Sequence, residues 1–314
     1  MIRAAVLGQD VSKSRSPAIH RAAYQALGLE GTFEALSVEA AGFAGLVQAL
    51  GQRGYGYLNV TIPHKGAAAA LADTRSAMVR NCWAANTLIF EPFDPEAGGA
   101  AVRGGGPTGG RLVHGENTDG YGLLAALRDL GAEPGGEDAV LVGAGGAAAG
   151  ALEALTAAGA RVRVVARRRE AARALVARIP AQRRRLARAF GWDAAGGGEG
   201  DGGGDGGGEG NQEGGGLAAA LQGARIVVSS VPPQVWADAD RAAALEDIAR
   251  GTAVLEMAYG QLPLSPLGRA VRGRVARYAD GLGMLVHQAV RAIELALGET
   301  PPLPPLFAAA RNPR

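Results

Sequence analysis

The chain has 314 residues, long enough for two domains of ordinary size, and 47% of them are hydrophobic, enough for a sizeable core. A net charge of +2 excludes the strongly basic balance of a nucleic-acid or membrane-surface protein. A single cysteine, Cys82, excludes an internal disulfide and fits a reducing compartment, so the expected location is the cytoplasm.

The start, Met-Ile-Arg-Ala-Ala-Val-Leu-Gly, reads as a strand and not as a signal peptide, and no apolar run reaches the ~18 residues of a membrane span. Residues 2–7 are that strand, closed by Gly8. Ser16-Pro17 predicts a helix start, with the hydroxyl at the cap and proline at the first helical position. Ile19, Ala22, Ala23, Ala26 and Leu27 give this helix an apolar face, and Gly28 is placed to end it. A second strand is expected over 32–38, a second helix over 40–51 and a short strand over 55–58. That strand exits into Asn59-Val-Thr-Ile-Pro-His-Lys65. An amide, a hydroxyl and a lysine at the end of a strand face the crevice where α/β layers bind ligands. Strand and helix alternate, so the first domain is expected to be α/β with a mostly parallel sheet.

Ala85-Asn-Thr-Leu-Ile-Phe90 reads as another strand, and the Gly- and Pro-rich stretch 91–111 as a loose hairpin connection. Leu112-Val-His-Gly-Glu-Asn-Thr-Asp-Gly120 and a helix over 121–130 follow, where the chain is expected to cross between domains. Residues 139–142 form a buried strand. Gly143-Ala-Gly-Gly-Ala-Ala-Ala-Gly150 then opens an alanine-rich helix reaching 158, and 161–166 is the next strand, a βαβ pattern. Residues 196–216 are mostly glycine with acidic residues and no basic ones; such a segment buries too little area to offset chain entropy and is expected to be a disordered insertion. Strands are expected again near 224–231 and 251–257, a long helix over 281–297, and a Pro-rich closing segment.

Gly143-x-Gly145-x-x-Ala148 fits the dinucleotide fingerprint, and its place between an apolar strand and a helix makes the pattern informative. Gly143 permits the tight turn, Gly145 lets the backbone approach a pyrophosphate, and the helix N-terminus offers free N–H groups and a partial positive charge. The plainer alternative is a flexible glycine turn. At the end of the next strand, where NAD enzymes carry an acidic residue for the ribose 2′-hydroxyl, stand Arg167-Arg168-Arg169. Guanidinium groups bind a 2′-phosphate through charge-assisted hydrogen bonds, so NADP is preferred over NAD, with Arg167 first, Arg168 next and Arg169 last. Some arginines between 161 and 188 must instead belong to a solvated helix start.

Before any family is considered, Ser14/Ser16, Asn59/Thr61/Lys65, Asn86 and Asn117/Asp119 suit a small polyhydroxylated anion. Taken singly, each has a plainer reading. Ser16 and Asp119 would be helix caps, Asn86 a turn amide and Lys65 a solvated lysine. Together the segments Ser14-Arg-Ser-Pro17, Asn59-Val-Thr-Ile-Pro-His-Lys65, Ala85-Asn-Thr-Leu88, Asn117-Thr-Asp-Gly120, Gly143-Ala-Gly-Gly-Ala147 and Asp280-Gly-Leu-Gly-Met-Leu-Val-His-Gln288 resemble the shikimate dehydrogenase family from residue 5 to about 290.

The resemblance implies NADP-linked, reversible conversion of 3-dehydroshikimate to shikimate in aromatic amino-acid (chorismate) biosynthesis, with no metal. It puts Ser14 and Ser16 on the substrate carboxylate and sets Asn59, Thr61, Asn86 and Gln288 around the ring hydroxyls and the reacting oxygen. It makes Lys65 and Asp119 the catalytic pair, also touching substrate, and Tyr259 a residue near the substrate. Gly143, Ala144, Gly145, Gly146 and Ala147 would hold the cofactor with Arg167 and Arg168, and Met257 and Gly281 would lie close to the nicotinamide. It implies a substrate domain over 1–116, a Rossmann-like NADP-binding domain over 117–280 and a C-terminal helical segment, 281–314, returning to the first, with a cleft between the two domains. Partners would be small molecules, with no nucleic acid or membrane, and the assembly a monomer or homodimer.

The sequence departs from the family pattern in places. Asp10 and Lys13 stand where the family often has Pro and His, Ala77 where an acidic residue is usual, and Ala166 and Arg168 where Asn and Thr are usual around Arg167. The alternatives are an NAD-dependent quinate/shikimate dehydrogenase, opposed by Arg167-Arg168 and by serine at 16; a methylenetetrahydrofolate dehydrogenase, opposed by the paired serines and Asn117-Thr-Asp119; and a non-catalytic NADP-binding sensor, which has no use for Lys65 and Asp119.

Overall fold

The structure is a computed structural model and describes residues 1–92, 111–193, 216–246, 248–260, 264–275 and 277–312. Most of the expected hairpin connection (91–111) and glycine-rich insertion (196–216) lies outside these residues. The elements run, in chain order, β1 (Ile2–Gly8), α1 (Ser16–Ala26), β2 (Gly31–Ser37), α2 (Phe43–Gln52), β3 (Tyr57–Val60), α3 (Lys65–Leu71), β4 (Thr74–Arg75), α4 (Ala77–Cys82), β5 (Thr87–Pro92), β6 (Arg111–Glu116) and α5 (Asp119–Asp129). They continue through β7 (Asp138–Val142), α6 (Gly146–Ala157), β8 (Arg161–Ala166), α7 (Arg169–Val176), β9 (Ala187–Gly191), α8 (Leu217–Leu221) and β10 (Ile226–Ser229). The last are α9 (Ala239–Ala243), β11 (Ala253–Glu256), α10 (Pro266–Val271), β12 (Arg277–Ala279), α11 (Leu282–Leu297) and α12 (Leu303–Arg311). The chain divides into two compact units. One comprises Met1–Ala126, Ala149–Ala154 and Leu282–Arg314, the other Leu127–Ala148 and Leu155–Gly281.

The first unit holds a six-stranded sheet in the order β2-β1-β3-β5-β6-β4. β1 lies between β2 and β3 and is parallel to both. Covered on both faces, it needs a continuous apolar run, which Ala4 to Leu7 supply, each at most 4% exposed. β5 is antiparallel to β3 and β6, and β4 is parallel to β6, so the parallel pairs are interrupted by one reversed strand. On one side Leu7, Leu58 and Leu88 pack with Phe43, Val47 and Val79. Elsewhere in the unit His20, Phe33, Tyr24 and Tyr57 cluster, His20 stacked on Phe33 at 3.7 Å between ring centroids.

His20 gives this unit a pH dependence. Its Nδ1 donates to the Ser16 carbonyl at 2.9 Å, Nε2 has no partner, and burial pushes its pKa down to about 4. The unfolded chain, with an ordinary histidine near 6.5, therefore takes up the proton first as pH falls. The stability from neutral His20 is whole above pH ~6.5 and is lost progressively towards pH ~4, by about 3 kcal/mol in all. His114, raised by its hydrogen bond to Glu116, contributes in the opposite sense above its ordinary value and leaves this window alone. Urea midpoints at pH 7 and pH 5 should differ less in His20→Gln than in the parent chain; equal differences would remove His20 as the cause.

Two expectations about element ends are corrected. α1 begins at Ser16, not after it: Arg15 occupies the cap without a side-chain bond, and the Ser14 hydroxyl accepts from the Ser16 N–H at 3.3 Å. Ser16 is therefore the first helical residue and not the cap, and Pro17 sits in the first turn, where its missing N–H costs no helical bond. The Pro-rich end is the helix α12, because Pro304 and Pro305 fall in its first turn, where backbone N–H groups have no helical partner. α12 buries Leu306 and Ala310, and the Ala310 carbonyl accepts from the Arg15 guanidinium at 2.6 Å, anchoring the segment that carries Ser14 and Ser16.

The second unit is a six-stranded sheet in the order β12-β11-β10-β7-β8-β9, parallel throughout. Chain order reverses direction beside β7, between β8 on one side and β10 on the other. In doubly wound folds ligands bind at such a switch point, beyond the C-terminal ends of the strands. Val140, Val142, Val227 and Val254 are fully buried, as strands covered on both faces require.

Candidate active site

Topology gathers the polar residues of the first unit at one sheet edge. β1 and β3 run in register, Val6 opposite Asn59 and Leu7 opposite Val60, so the segments after them emerge side by side. Gly8 permits their contact: a Cβ there would lie 2.5 Å from Thr61 Cγ2. β5 runs the other way and therefore starts at this edge, with Thr87 opposite both Asn59 and Glu116. The helices α3 and α5 begin here, at Lys65 and Asp119. β3 spans Tyr57–Val60 and not 55–58, so Asn59 is a residue of the strand itself.

Lys65 is only 8% exposed and Asp119 3%, and Lys65 Nζ lies 2.5 Å from Asp119 Oδ2. Neither the solvated lysine nor the simple helix cap describes them. The Asp119 N–H donates to Asn117 Oδ1 at 3.0 Å, and Asn117 Nδ2 donates to the Ala84 carbonyl at 2.8 Å, so the turn before α5 is fixed by an amide. Asn86 Nδ2 lies 3.0 Å from Asp119 Oδ1, 3.0 Å from Thr118 Oγ1 and 3.3 Å from Gln288 Oε1. The carboxylate thus receives Lys65 on one oxygen and Asn86 on the other. Asn59 Nδ2 donates to Thr87 Oγ1 at 3.1 Å. The structure brings Asn59, Lys65, Asn86, Asp119 and Gln288 into one connected group. Ser14, Ser16 and Thr61 belong to the same unit, and among the described residues no hydrogen bond joins their side chains to that group. His64, 2% exposed, stacks on Phe43 and bonds the Val38 carbonyl at 2.8 Å, fixing the residue before Lys65.

Two members of the group were not singled out in the sequence. The Thr118 N–H donates to Asn86 Oδ1 at 2.8 Å, and Thr87 is wholly buried between Asn59 and Asn86. A signal existed: both follow asparagines, in Asn86-Thr87 and Asn117-Thr118.

In the second unit Gly143 follows β7 with φ of +119°, and a Cβ there would sit 2.2 Å from Ser230 Oγ, beyond the end of β10. Only glycine closes this turn at the switch point. Ala144 and Ala147 are half-buried, Gly145 and Gly146 are exposed, and α6 starts at Gly146. A Cβ on Gly145 would meet nothing within 4 Å, so its backbone face is open to a ligand. Arg167 and Arg168 are exposed just past β8, and among the described residues neither guanidinium has a protein partner. Arg169 is half-buried, with Nε unpartnered. Met257 and Gly281 are neighbours: a Cβ on Gly281 would lie 2.0 Å from the Met257 carbonyl oxygen. Tyr259 is half-buried two residues beyond Met257.

A parallel sheet of this order with an open glycine turn, and a separate unit that buries a lysine–carboxylate pair among amides, define the class: a two-unit α/β dehydrogenase with a Rossmann-like cofactor fold. Residues 6–88 match the model of the shikimate dehydrogenase substrate binding domain. The shikimate dehydrogenase (NADP(+)) of Acidiphilium cryptum (strain JF-5) is 34% identical over 303 residues, 95% of this chain and 91% of its own. The crystal structure of Mycobacterium tuberculosis shikimate dehydrogenase is similar with a TM-score of 0.75 at 29% identity, covering 99% of each chain. That of Thermus thermophilus shikimate 5-dehydrogenase, in complex with NADP(H) and shikimate, gives 0.71 at 27%, again over 99% of each. The chain belongs to the shikimate dehydrogenase family.

Proposed function

We propose that the chain reduces 3-dehydroshikimate to shikimate with NADPH, reversibly, as the NADP-dependent dehydrogenase of aromatic amino-acid biosynthesis. The observation that carries this reading is the buried Lys65–Asp119 pair at 2.5 Å, bracketed by the amides of Asn59, Asn86 and Gln288. Bound at the glycine turn, the cofactor supplies the hydride. The residues of the first unit handle the proton. Reduction of the C3 carbonyl leaves an alkoxide, and the Lys65 ammonium stabilises that charge and donates its proton; the reverse reaction uses the neutral amine. Asp119 holds Lys65 in place through their direct contact. Asn59, Thr61, Asn86 and Gln288 hold the ring hydroxyls, Ser14 and Ser16 the carboxylate, and Tyr259 lies close to the substrate.

The cofactor residues are Gly143 to Ala147, with Arg167 and Arg168 on the 2′-phosphate and Met257 and Gly281 near the nicotinamide. The open Gly145 face and the two guanidiniums, unpartnered among the described residues, fit that group. Replacing Arg167 and Arg168 with alanine should raise KM for NADP by about 10–100-fold per arginine, the scale of a charge-assisted hydrogen bond, and leave KM for NAD nearly unchanged. Equal effects on both cofactors would take the arginines off the 2′-phosphate.

The functional division we propose is 1–116 for substrate, 117–280 for cofactor and 281–314 returning to the first part; the grouping of Leu282–Arg314 with Met1–Ala126 supports it. The partners are small molecules, with no role for nucleic acid or membrane, and the assembly a monomer or homodimer. The compartment is the cytoplasm, where the buried Cys82, its thiol pushed up to about 11 by burial, stays reduced. A panel of shikimate and quinate with NADP and NAD tests the reading. Shikimate with NADP should give the highest kcat/KM. Faster quinate oxidation with NAD, or tight NADP binding without any turnover, would overturn it.

A further inference from the structure

Thr87 is 0% exposed and lies on β5 directly opposite Asn59. Among the described residues its hydroxyl is the one side-chain link between the amides of Asn59 and Asn86, and simple proton counting fixes how they point. The Thr118 backbone N–H donates to Asn86 Oδ1 at 2.8 Å, and a backbone N–H can only donate, so this atom is the amide oxygen. Asp119 Oδ1 lies 3.0 Å from the other end of the same amide, as the Asn86 NH₂ group requires. Thr87 Oγ1 is 3.1 Å from Asn86 Oδ1, and an amide oxygen cannot donate, so the single hydroxyl proton of Thr87 goes there. Towards Asn59, 3.1 Å away, Thr87 can then only accept. The Asn59 NH₂ group is thereby turned to Thr87, and its Oδ1 is left to face elsewhere. One directed chain results: Asn59 donates to Thr87, Thr87 to Asn86, Asn86 to Asp119, and Lys65 donates to the same carboxylate from the other side.

We infer that Thr87 is a positioning residue that sets the hydrogen-bonding polarity of the site, holding Asn59 so that it offers an acceptor to the ligand. Building on the proposed function, this makes the substrate group that Asn59 Oδ1 meets a proton donor, a ring hydroxyl. Asn86 has further holds through Thr118, whereas Thr87 is the partner that fixes the Asn59 amide. The effect of Thr87 on substrate should therefore pass mainly through Asn59.

The tests are Thr87→Val, which keeps the shape and removes the hydroxyl, and Thr87→Ser, which keeps the hydroxyl. The first readout needs neither substrate nor cofactor. The side-chain NH₂ protons of Asn59, assigned in the NMR spectrum by comparison with Asn59→Ala, should exchange with solvent about tenfold faster in Thr87→Val, the scale of one neutral hydrogen bond, and at the parent rate in Thr87→Ser. The second readout is kcat/KM for shikimate with NADP. It should fall about tenfold or more in Thr87→Val, recover in Thr87→Ser, and fall little further when Thr87→Val is added to Asn59→Ala. NADP affinity should be equal in all of them. Unchanged Asn59 exchange in Thr87→Val, or equal impairment by valine and serine, would overturn the inference. Absence of turnover in the parent chain would instead refute the proposed function, and the exchange measurement would still decide the role of Thr87.

Discussion

Lys65→Ala should lower kcat for shikimate oxidation by about 10²–10⁴-fold, the usual worth of a positioned proton donor, and change KM for shikimate only modestly. The reason lies in the geometry. Lys65 starts α3 at the edge where β1 and β3 end, is 8% exposed, and spends one donor on Asp119, leaving its others for a reacting oxygen. The amides and hydroxyls proposed to hold the ring stay in place when it is removed, so affinity should suffer less than turnover. Loss of the lysine also strands the Asp119 charge, so rates must be normalised to folded protein, measured by circular dichroism. Near-parent kcat would remove Lys65 from the mechanism.

Asp119→Ala should damage both stability and activity. Breaking a buried ion pair from one side typically costs about 3–5 kcal/mol, because the remaining charge is left unpaired in a low-dielectric setting. Here the stranded groups are the Lys65 ammonium and one donor of Asn86. The unfolding free energy from urea titration should drop by that amount at unchanged m-value, and kcat should fall as Lys65 loses its fixed position. Asp119→Asn keeps an oxygen acceptor and the shape, so its stability loss should be smaller. In the double variant Lys65→Ala/Asp119→Ala the losses should sum to less than the two singles, since neither charge is then left alone. Additive losses would mean that the pair is not coupled, contrary to the 2.5 Å contact.

Much of this was legible in the residues. The turn at Gly143 could be read because a tight strand-to-helix turn tolerates few residue types, and the structure gives the reason in the 2.2 Å approach to Ser230. The polar exit from β3 could be read because an amide, a hydroxyl and a lysine follow one another at the end of a strand, although Asn59 lies within the strand itself. The direction of β5 could not, since a short apolar run looks the same whichever way it runs. That reversal is what brings Asn86 and Thr87 to the edge where Asn59 stands. The separate helix α12 was not legible because its start is Pro-rich, although the first turn of a helix tolerates proline. Thr87 and Thr118 act through neighbouring amides; each follows an asparagine in the sequence, but the pairing of Thr87 with Asn59 comes from the register of β3 and β5.

The departures around Arg167 bear on the cofactor. Ala166 ends β8 and is 5% exposed, so its methyl belongs to the sheet, whereas Arg168 is exposed beside Arg167. The chain thus offers charge where a neutral hydrogen-bonding side chain is usual, an exchange that under the proposed function favours a 2′-phosphate. Asp10, in the loop after β1, accepts from the Ser12 N–H and hydroxyl and is held below the usual carboxylate range by them, a local turn in the segment that leads to Ser14.

The initial rate of shikimate oxidation by the purified chain, with NADP and with NAD side by side, is the decisive measurement. Turnover of shikimate is expected with a clear preference for NADP, about tenfold or more in kcat/KM, the worth of one charge-assisted bond to the 2′-phosphate. No turnover with either cofactor, or faster turnover with NAD, would contradict the proposed function.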